Sequence, residues 1–221
     1  MTGNNDATHS LPIVILISGH GSNLQAMIDA VRSGELPVEI RCVISNRPNA
    51  YGLLRAREAG IPTRIVNHTV YTDRRVFDHD LLHTIDAFQP SLVVLAGFMR
   101  ILGPGLIDHY QGRMMNIHPS LLPAYPGLNT HQRVIDAKEK HHGASVHFVT
   151  NELDSGPVII QGRISVSPDD DVNSLNARVR ELEHQIYPLA IKWFAERRLE
   201  LAGDTILLDN KPLSQPVEYQ Q

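Results

Sequence analysis

The sequence predicts an α/β protein: an open, mostly parallel sheet with helices on both faces, then a long C-terminal helix and a small hairpin. Three observations predict this. Residues 12–18 (PIVILIS) and 91–96 (SLVVLA) are apolar runs of strand length, as expected of strands covered on both faces. Segments with apolar residues at helical spacing separate the early runs, giving β-α-β-α-β-α-β and hence a parallel sheet with right-handed crossovers. Residues 171–198 carry Val172, Leu175, Val179, Leu182, Ile186 and Leu189 on one face, a long amphipathic helix in which Pro188 is a candidate kink.

The elements follow in order. After the strand at 12–18 and the turn Gly19-His20-Gly21, residues 22–33 space Leu24, Met27, Ile28 and Val31 as a helix, with Gly34 as its stop. Residues 38–45 are a second strand and Asn46-Arg47-Pro48-Asn49 a turn. Residues 51–59 are helical and closed by Gly60, and 62–66 form a short third strand. Residues 72–88 repeat Phe77, Leu81, Ile85 and Phe88 along one face and stop at Gln89-Pro90, before the fourth strand at 91–96. No element is assigned to 97–112. A short strand at 113–117 leads into a proline-rich segment, 129–140 is a helix, and strands at 144–150 and 158–166 are joined by 151–157. A hairpin at 199–213 turns at Asp209-Asn210, while 1–10 and 214–221 read as disordered. With no linker or repeat, residues 1–221 form one Rossmann-like domain in two halves, 11–110 and 111–213.

Composition narrows the function classes. A chain of 221 residues can bury a full core, and 42% hydrophobic with 20% charged residues is ordinary for a globular protein. A net charge of -4 gives no footprint for a nucleic-acid backbone. No apolar stretch approaches the ~20 residues of a membrane helix, so the expected setting is cytoplasmic, with no membrane or nucleic-acid partner. The single Cys42 sits in an apolar run and reads as a buried small hydrophobe.

Two segments carry chemistry. Gly19-His20-Gly21-Ser22-Asn23 lies between a buried strand and a helix start, where free amides and the helix dipole attract phosphate. Neither the third glycine of the dinucleotide pattern, where Leu24 stands, nor the P-loop lysine is present. Taken alone, the turn is equally a tight strand-to-helix connection. The second segment is Asn116-Ile117-His118-Pro119-Ser120-Leu121-Leu122-Pro123, stiffened by prolines 119, 123 and 126. Asn116 and His118 are two apart at a strand end and project to one side. Asp154, in the loop after the strand at 144–150, can reach His118 if the strands are neighbours. An amide and an imidazolium suit a developing oxyanion, and a carboxylate orients the protonated imidazole. Chemistry alone also permits a turn cap, a packed histidine and a loop acid.

The motif Asn-Ile-His-Pro-Ser-Leu-Leu-Pro resembles that of the formyltransferases using 10-formyltetrahydrofolate. Residues 17–24 (ISGHGSNL), 95–102 (LAGFMRIL), 145–149 (SVHFV) and 183–188 (EHQIYP) are similar to the branch acting on glycinamide ribonucleotide in purine synthesis. The likeness runs from about Ile13 to Arg198. It implies that Gly21, Ser22 and Asn23 hold the ribonucleotide phosphate, that Glu183 contacts the ribonucleotide, and that Arg180 assists. It further implies that Met99, Arg100, Ile101 and Leu102, with Arg74 and Asn116, line the folate site, and that Asn116, His118 and Asp154 are catalytic. The first half would then bind the nucleotide phosphate and the second the folate. The expected partners are these two small molecules, in a monomer or homodimer. The alternatives within the family are a formyltetrahydrofolate hydrolase or another formyltransferase.

Two positions depart from the pattern. His20 stands where asparagine is frequent, adding a pH-sensitive charge beside the phosphate turn, and Ser155 replaces a glycine and would stiffen its loop. No metal site is expected: His141, His142 and His147 lack HExxH spacing, a cysteine pair or a carboxylate at ligand spacing.

Overall fold

The computed structural model describes residues 10–220. Among the described residues, eight strands form one sheet and three more a small antiparallel one. The first half is β1 (Leu11–Ile17), α1 (Ser22–Arg32), β2 (Val38–Ser45), α2 (Gly52–Glu58), β3 (Thr63–Ile65), α3 (Arg74–Asp86) and β4 (Leu92–Leu95). Its strands are all parallel. Alternation along β1 shows why the run is apolar throughout. Ile13, Ile15 and Ile17 pack with α1, α2 and the long C-terminal helix, whereas Val14 and Leu16 pack with α3 on the other face. Each such side chain contributes about 1.5–3 kcal/mol by leaving water.

The chain winds outward from β1 through β2 to β3, then returns through α3 to β4 on the other side of β1. The crevice above the carboxyl ends of β1 and β4 is therefore a topological switch point, where open α/β sheets place ligands.

The second half is α4 (Pro104–His109), β5 (Met114–His118), α5 (Thr130–Asp136), β6 (His141–Phe148), β7 (Val158–Ser165), α6 (Val172–Ala195), β8 (Leu199–Ala202), β9 (Thr205–Leu208), β10 (Lys211–Pro212) and β11 (Val217–Tyr219). β5 continues the parallel order, but β6 runs antiparallel to both β5 and β7. α6 starts at a capping box between Asp171 and Ser174 and runs unbroken through Pro188. Its Tyr187 is fully buried, with its hydroxyl 3.0 Å from the Leu95 carbonyl and 2.9 Å from that of Met115. Burial holds this phenol well above its usual range.

Several expectations need correction. Residues 97–112 contain α4, a six-residue helix with proline in its first turn, too short to show a period. The helix expected at 129–140 stops at Asp136, because Lys138 takes a positive φ of 53°. β6 begins at His141 rather than 144, since its polar start pairs with β7. The terminal hairpin has three strands, turning first at Gly203-Asp204 and then at Asp209-Asn210, where φ is 53° and 60°. Residues 217–219, expected to be disordered, add a parallel strand to β7 because that edge has free backbone groups to pair. The disorder expected of residues 1–9 and of Gln221 concerns positions outside the described residues. Among the described residues no helix is long and apolar enough to cross a membrane.

Candidate active site

The turn after β1 is built for close backbone approach. Gly21 caps α1 at φ 74°, and a Cβ there would meet the Gly52 Cα at 2.7 Å, so the starts of α1 and α2 touch through glycine backbones. The Gln25 amide makes the first intrahelical bond, to the Gly21 carbonyl, leaving the amides of Ser22, Asn23 and Leu24 without intrahelical acceptors. The Asn23 Nδ2 donates to Glu183 Oε2 on α6 at 2.9 Å, which brings two predicted binding residues together across 160 positions of sequence. Burial raises the Glu183 carboxyl, while the Asn23 donor and nearby Arg180 oppose it. His20 is exposed and stacks on Tyr51 with ring centroids 5.4 Å apart. Arg55 donates through Nε to the His20 carbonyl at 3.0 Å and supplies a permanent cation at this corner.

Asn116 and His118 lie on β5, and His118 is paired with Asp154. His118 Nδ1 is 3.4 Å from Asp154 Oδ2, with side chains only 7% exposed on each partner. Because β6 runs antiparallel, the loop after it must double back over the sheet to bring Asp154 there. Asp154 sits at φ 52°, a region aspartate tolerates better than most residues. Its Oδ2 also accepts the Gly127 N–H at 2.8 Å, tying the proline-rich loop to the carboxylate. Ser155 donates through Oγ to the Leu153 carbonyl at 3.0 Å. The other His118 nitrogen, Nε2, is 3.0 Å from the Tyr125 carbonyl. Both ring nitrogens thus face acceptors, and only an imidazolium donates to both at once.

His147 was set aside in the sequence as a poor metal ligand, yet it faces Asn116 directly across β5 and β6. Its Nδ1 bonds the Phe148 carbonyl at 2.9 Å, so Nε2 is the acceptor of the neutral ring and takes the Asn116 Nδ2–H at 3.1 Å. Burial lowers its pKa, so the neutral form prevails; the Phe148 carbonyl and Asp154 oppose the shift. The amide of Asn116 is thereby oriented, with its second N–H unpaired among the described residues. Sequence spacing could not reveal this, because it depends on the register of an antiparallel pair. His147→Phe is expected to lower kcat about tenfold with both KM values little changed, as for one lost orienting hydrogen bond; steady-state kinetics checks this.

The proline-rich loop is held from beneath. Ser145 Oγ accepts the Leu122 N–H at 3.0 Å and Gln161 Nε2 at 2.8 Å, and donates to the Ser120 carbonyl at 2.6 Å. Arg133 Nη1 donates to the Pro126 carbonyl at 2.6 Å.

The residues expected to line a folate site follow β4 as an irregular segment entered through Gly97 at φ 74°. The Met99 amide donates to Ser18 Oγ at 2.7 Å, and Ser18 donates to Asn46 Oδ1 at 2.6 Å, joining the ends of β1, β2 and β4. Leu102 is buried, but Met99 and Ile101 are 60% and 56% exposed, an apolar ledge beside the crevice. Arg74 donates through Nη2 to the carbonyls of Ile101 and Leu102 at 2.7 and 2.8 Å, so it braces the ledge from below.

Of the other histidines, His131 Nδ1 bonds His142 Nε2 at 2.9 Å, and burial lowers the His142 pKa to about 4. Among the described residues no three His, Cys, Asp or Glu side chains converge as metal ligands. Burial pushes the Cys42 thiol up to about 12, which keeps it inert.

This geometry has close counterparts. The chain is 50% identical to the phosphoribosylglycinamide formyltransferase of Escherichia coli (strain K12) over 201 residues, covering 91% of this chain and 95% of that protein. A solved phosphoribosylglycinamide formyltransferase from Coxiella burnetii, in complex with CHES, superposes with a TM-score of 0.92 at 53% identity, over 95% of this chain and 99% of that one. Glycinamide ribonucleotide transformylase 1 from Symbiobacterium toebii gives 0.89 at 41%, over 94% and 99%. The formyl transferase family model matches residues 11–191. With the Asn116, His118 and Asp154 cluster at its switch-point crevice, the chain belongs to the formyl transferase family.

Proposed function

We propose that this protein transfers the formyl group of 10-formyltetrahydrofolate to the amine of glycinamide ribonucleotide, giving formylglycinamide ribonucleotide and tetrahydrofolate in de novo purine biosynthesis. The observation that carries this reading is the buried His118–Asp154 pair beside an oriented Asn116 amide. The overall identity to transferases of that name supports the choice of substrates.

In this reading the phosphate rests on the amides of Gly21, Ser22 and Asn23, while Glu183, with Arg180 nearby, contacts the ribonucleotide. The folate lies along Met99, Arg100, Ile101 and Leu102, with Asn116 at its reactive end and Arg74 bracing the ledge. The neutral amine attacks the formyl carbon, and the carbonyl electron pair moves to oxygen. The free N–H of Asn116 and an N–H of His118 donate to that oxyanion. As the formyl oxygen enters, the Tyr125 carbonyl yields the His118 Nε2–H. Asp154 holds the imidazolium and relays the proton lost by the attacking nitrogen, through water, to the folate nitrogen as the C–N bond breaks. That bond breaks as the oxyanion re-forms the carbonyl, which leaves the formamide on the ribonucleotide and frees tetrahydrofolate. No metal is required by these steps.

Tetrahydrofolate formation is expected only when 10-formyltetrahydrofolate and glycinamide ribonucleotide are both present, as followed spectrophotometrically. Folate release without the ribonucleotide would instead mark a hydrolase, and none in either case a binding protein.

A further inference from the structure

The ledge at 99–103 has little regular hydrogen bonding of its own, so its shape depends on what grips it. One grip comes from α3. Asp78 is 8% exposed, and its Oδ2 packs directly against Gly103. Arg74, one turn earlier on α3, places Nε 3.6 Å from Asp78 Oδ2 while its Nη2 holds the Ile101 and Leu102 carbonyls. Arg100 stacks its guanidinium 4.4 Å over Phe77 and lies close enough to act electrostatically on the same carboxylate. Two buried atoms here, Asp78 Oδ1 and Arg100 Nε, have no hydrogen-bond partner among the described residues. Arg74 also stands at the positive end of α3, where a cation is disfavoured unless an anion offsets it.

We propose that Asp78 is the positioning residue that sets the conformation of the 99–103 ledge, and through it the affinity for the folate co-substrate. The inference rests on reading that ledge as the folate site. The carboxylate pairs with Arg74, lies in the field of Arg100 and packs against Gly103, so it joins the two ends of the ledge to the first turns of α3. Without it, Arg74 and Arg100 repel each other, and Arg74 has no reason to stay beneath the two carbonyls. Burial raises the Asp78 carboxyl, opposed by Arg74, Arg100 and the Gly103 amide, so the charge is kept at some cost. The fit is tight: a Cβ on Gly103 would stand 2.5 Å from Asp78 Oδ2. At φ -83° and ψ 159° the Gly103 backbone accepts alanine without strain.

Two isolated changes therefore test the same contact from opposite sides. Asp78→Asn removes the charge while keeping the shape, and Gly103→Ala displaces the carboxylate while keeping the charge. Each is expected to raise the KM for 10-formyltetrahydrofolate about tenfold, with kcat and the KM for glycinamide ribonucleotide within about twofold of the parent, as for one disrupted, partly buried ion pair. A folate KM that stays within twofold in both, or a parallel change of kcat and both KM values, overturns the proposal. If Asp78→Asn does not fold, Gly103→Ala alone decides. A parent protein inactive with both substrates would overturn the functional reading itself, whereas an active parent with an unmoved folate KM in the variants overturns only this inference.

Discussion

Replacing His118 by alanine is expected to cut turnover by about 10²–10³-fold while leaving the protein folded and both substrates bound. The size follows from what is lost. His118 is the one imidazole on β5 at the crevice, paired through Nδ1 with Asp154 and capable of donating through Nε2 once the Tyr125 carbonyl gives way. Alanine removes the proposed oxyanion donor from a buried position, where such donors act most strongly. The stability effect should be smaller, because the Gly127 amide still holds Asp154 and the Ser145 hydroxyl still holds the loop. Single-turnover kinetics with both substrates saturating measures the effect, and a loss of less than about tenfold would sink the assignment of His118.

Asp154→Asn is the second large effect, expected on the order of 10²–10⁴-fold in kcat. The substitution preserves shape but not function. The carboxylate accepts from Gly127 through Oδ2 and faces both His118 and, at 3.8 Å through Oδ1, His147. An asparagine that keeps its oxygen on Gly127 turns its NH₂ toward His147, whose one acceptor nitrogen is already used by Asn116. Flipped, it sets donors against the Gly127 amide. In either orientation the negative charge beside His118 is gone, together with the group proposed to relay the amine proton. A kcat loss without a comparable rise in either KM separates this role from substrate binding. Equal changes in all three constants would contradict it.

How much of this was legible in the chain differs by element. β2 spans the residues expected of it, because Ile40, Cys42, Val43 and Ile44 are buried apolar positions of strand length, although its start carries Glu39 and Arg41. Asn116 and His118 were legible because a period of two on one strand needs no tertiary knowledge. Asp154 required β5 and β6 to be neighbours, and the sequence shows their presence but not their opposed directions. His147 and the Tyr125 carbonyl were not legible, since one depends on cross-strand register and the other is a backbone group without a residue-type signal. β11 was missed for a related reason: three residues at a polar terminus have no pattern, and the free edge of β7 decides their structure. Arg74 was assigned to the folate site, and the structure places its guanidinium on the ledge's own carbonyls.

The hydroxyl of Tyr187, set between the carbonyls of Leu95 and Met115, has a consequence for where the two substrates meet. Glu183 stands one turn earlier on the same helix, joined to Asn23 at the phosphate turn. A single rigid rod thus touches the frame at two stations, one beneath the strand that carries Asn116 and His118 and one beside the turn assigned to the phosphate. That rod gauges the span between acceptor and donor. The distance across which the formyl group must travel is set by this helix and its two contacts.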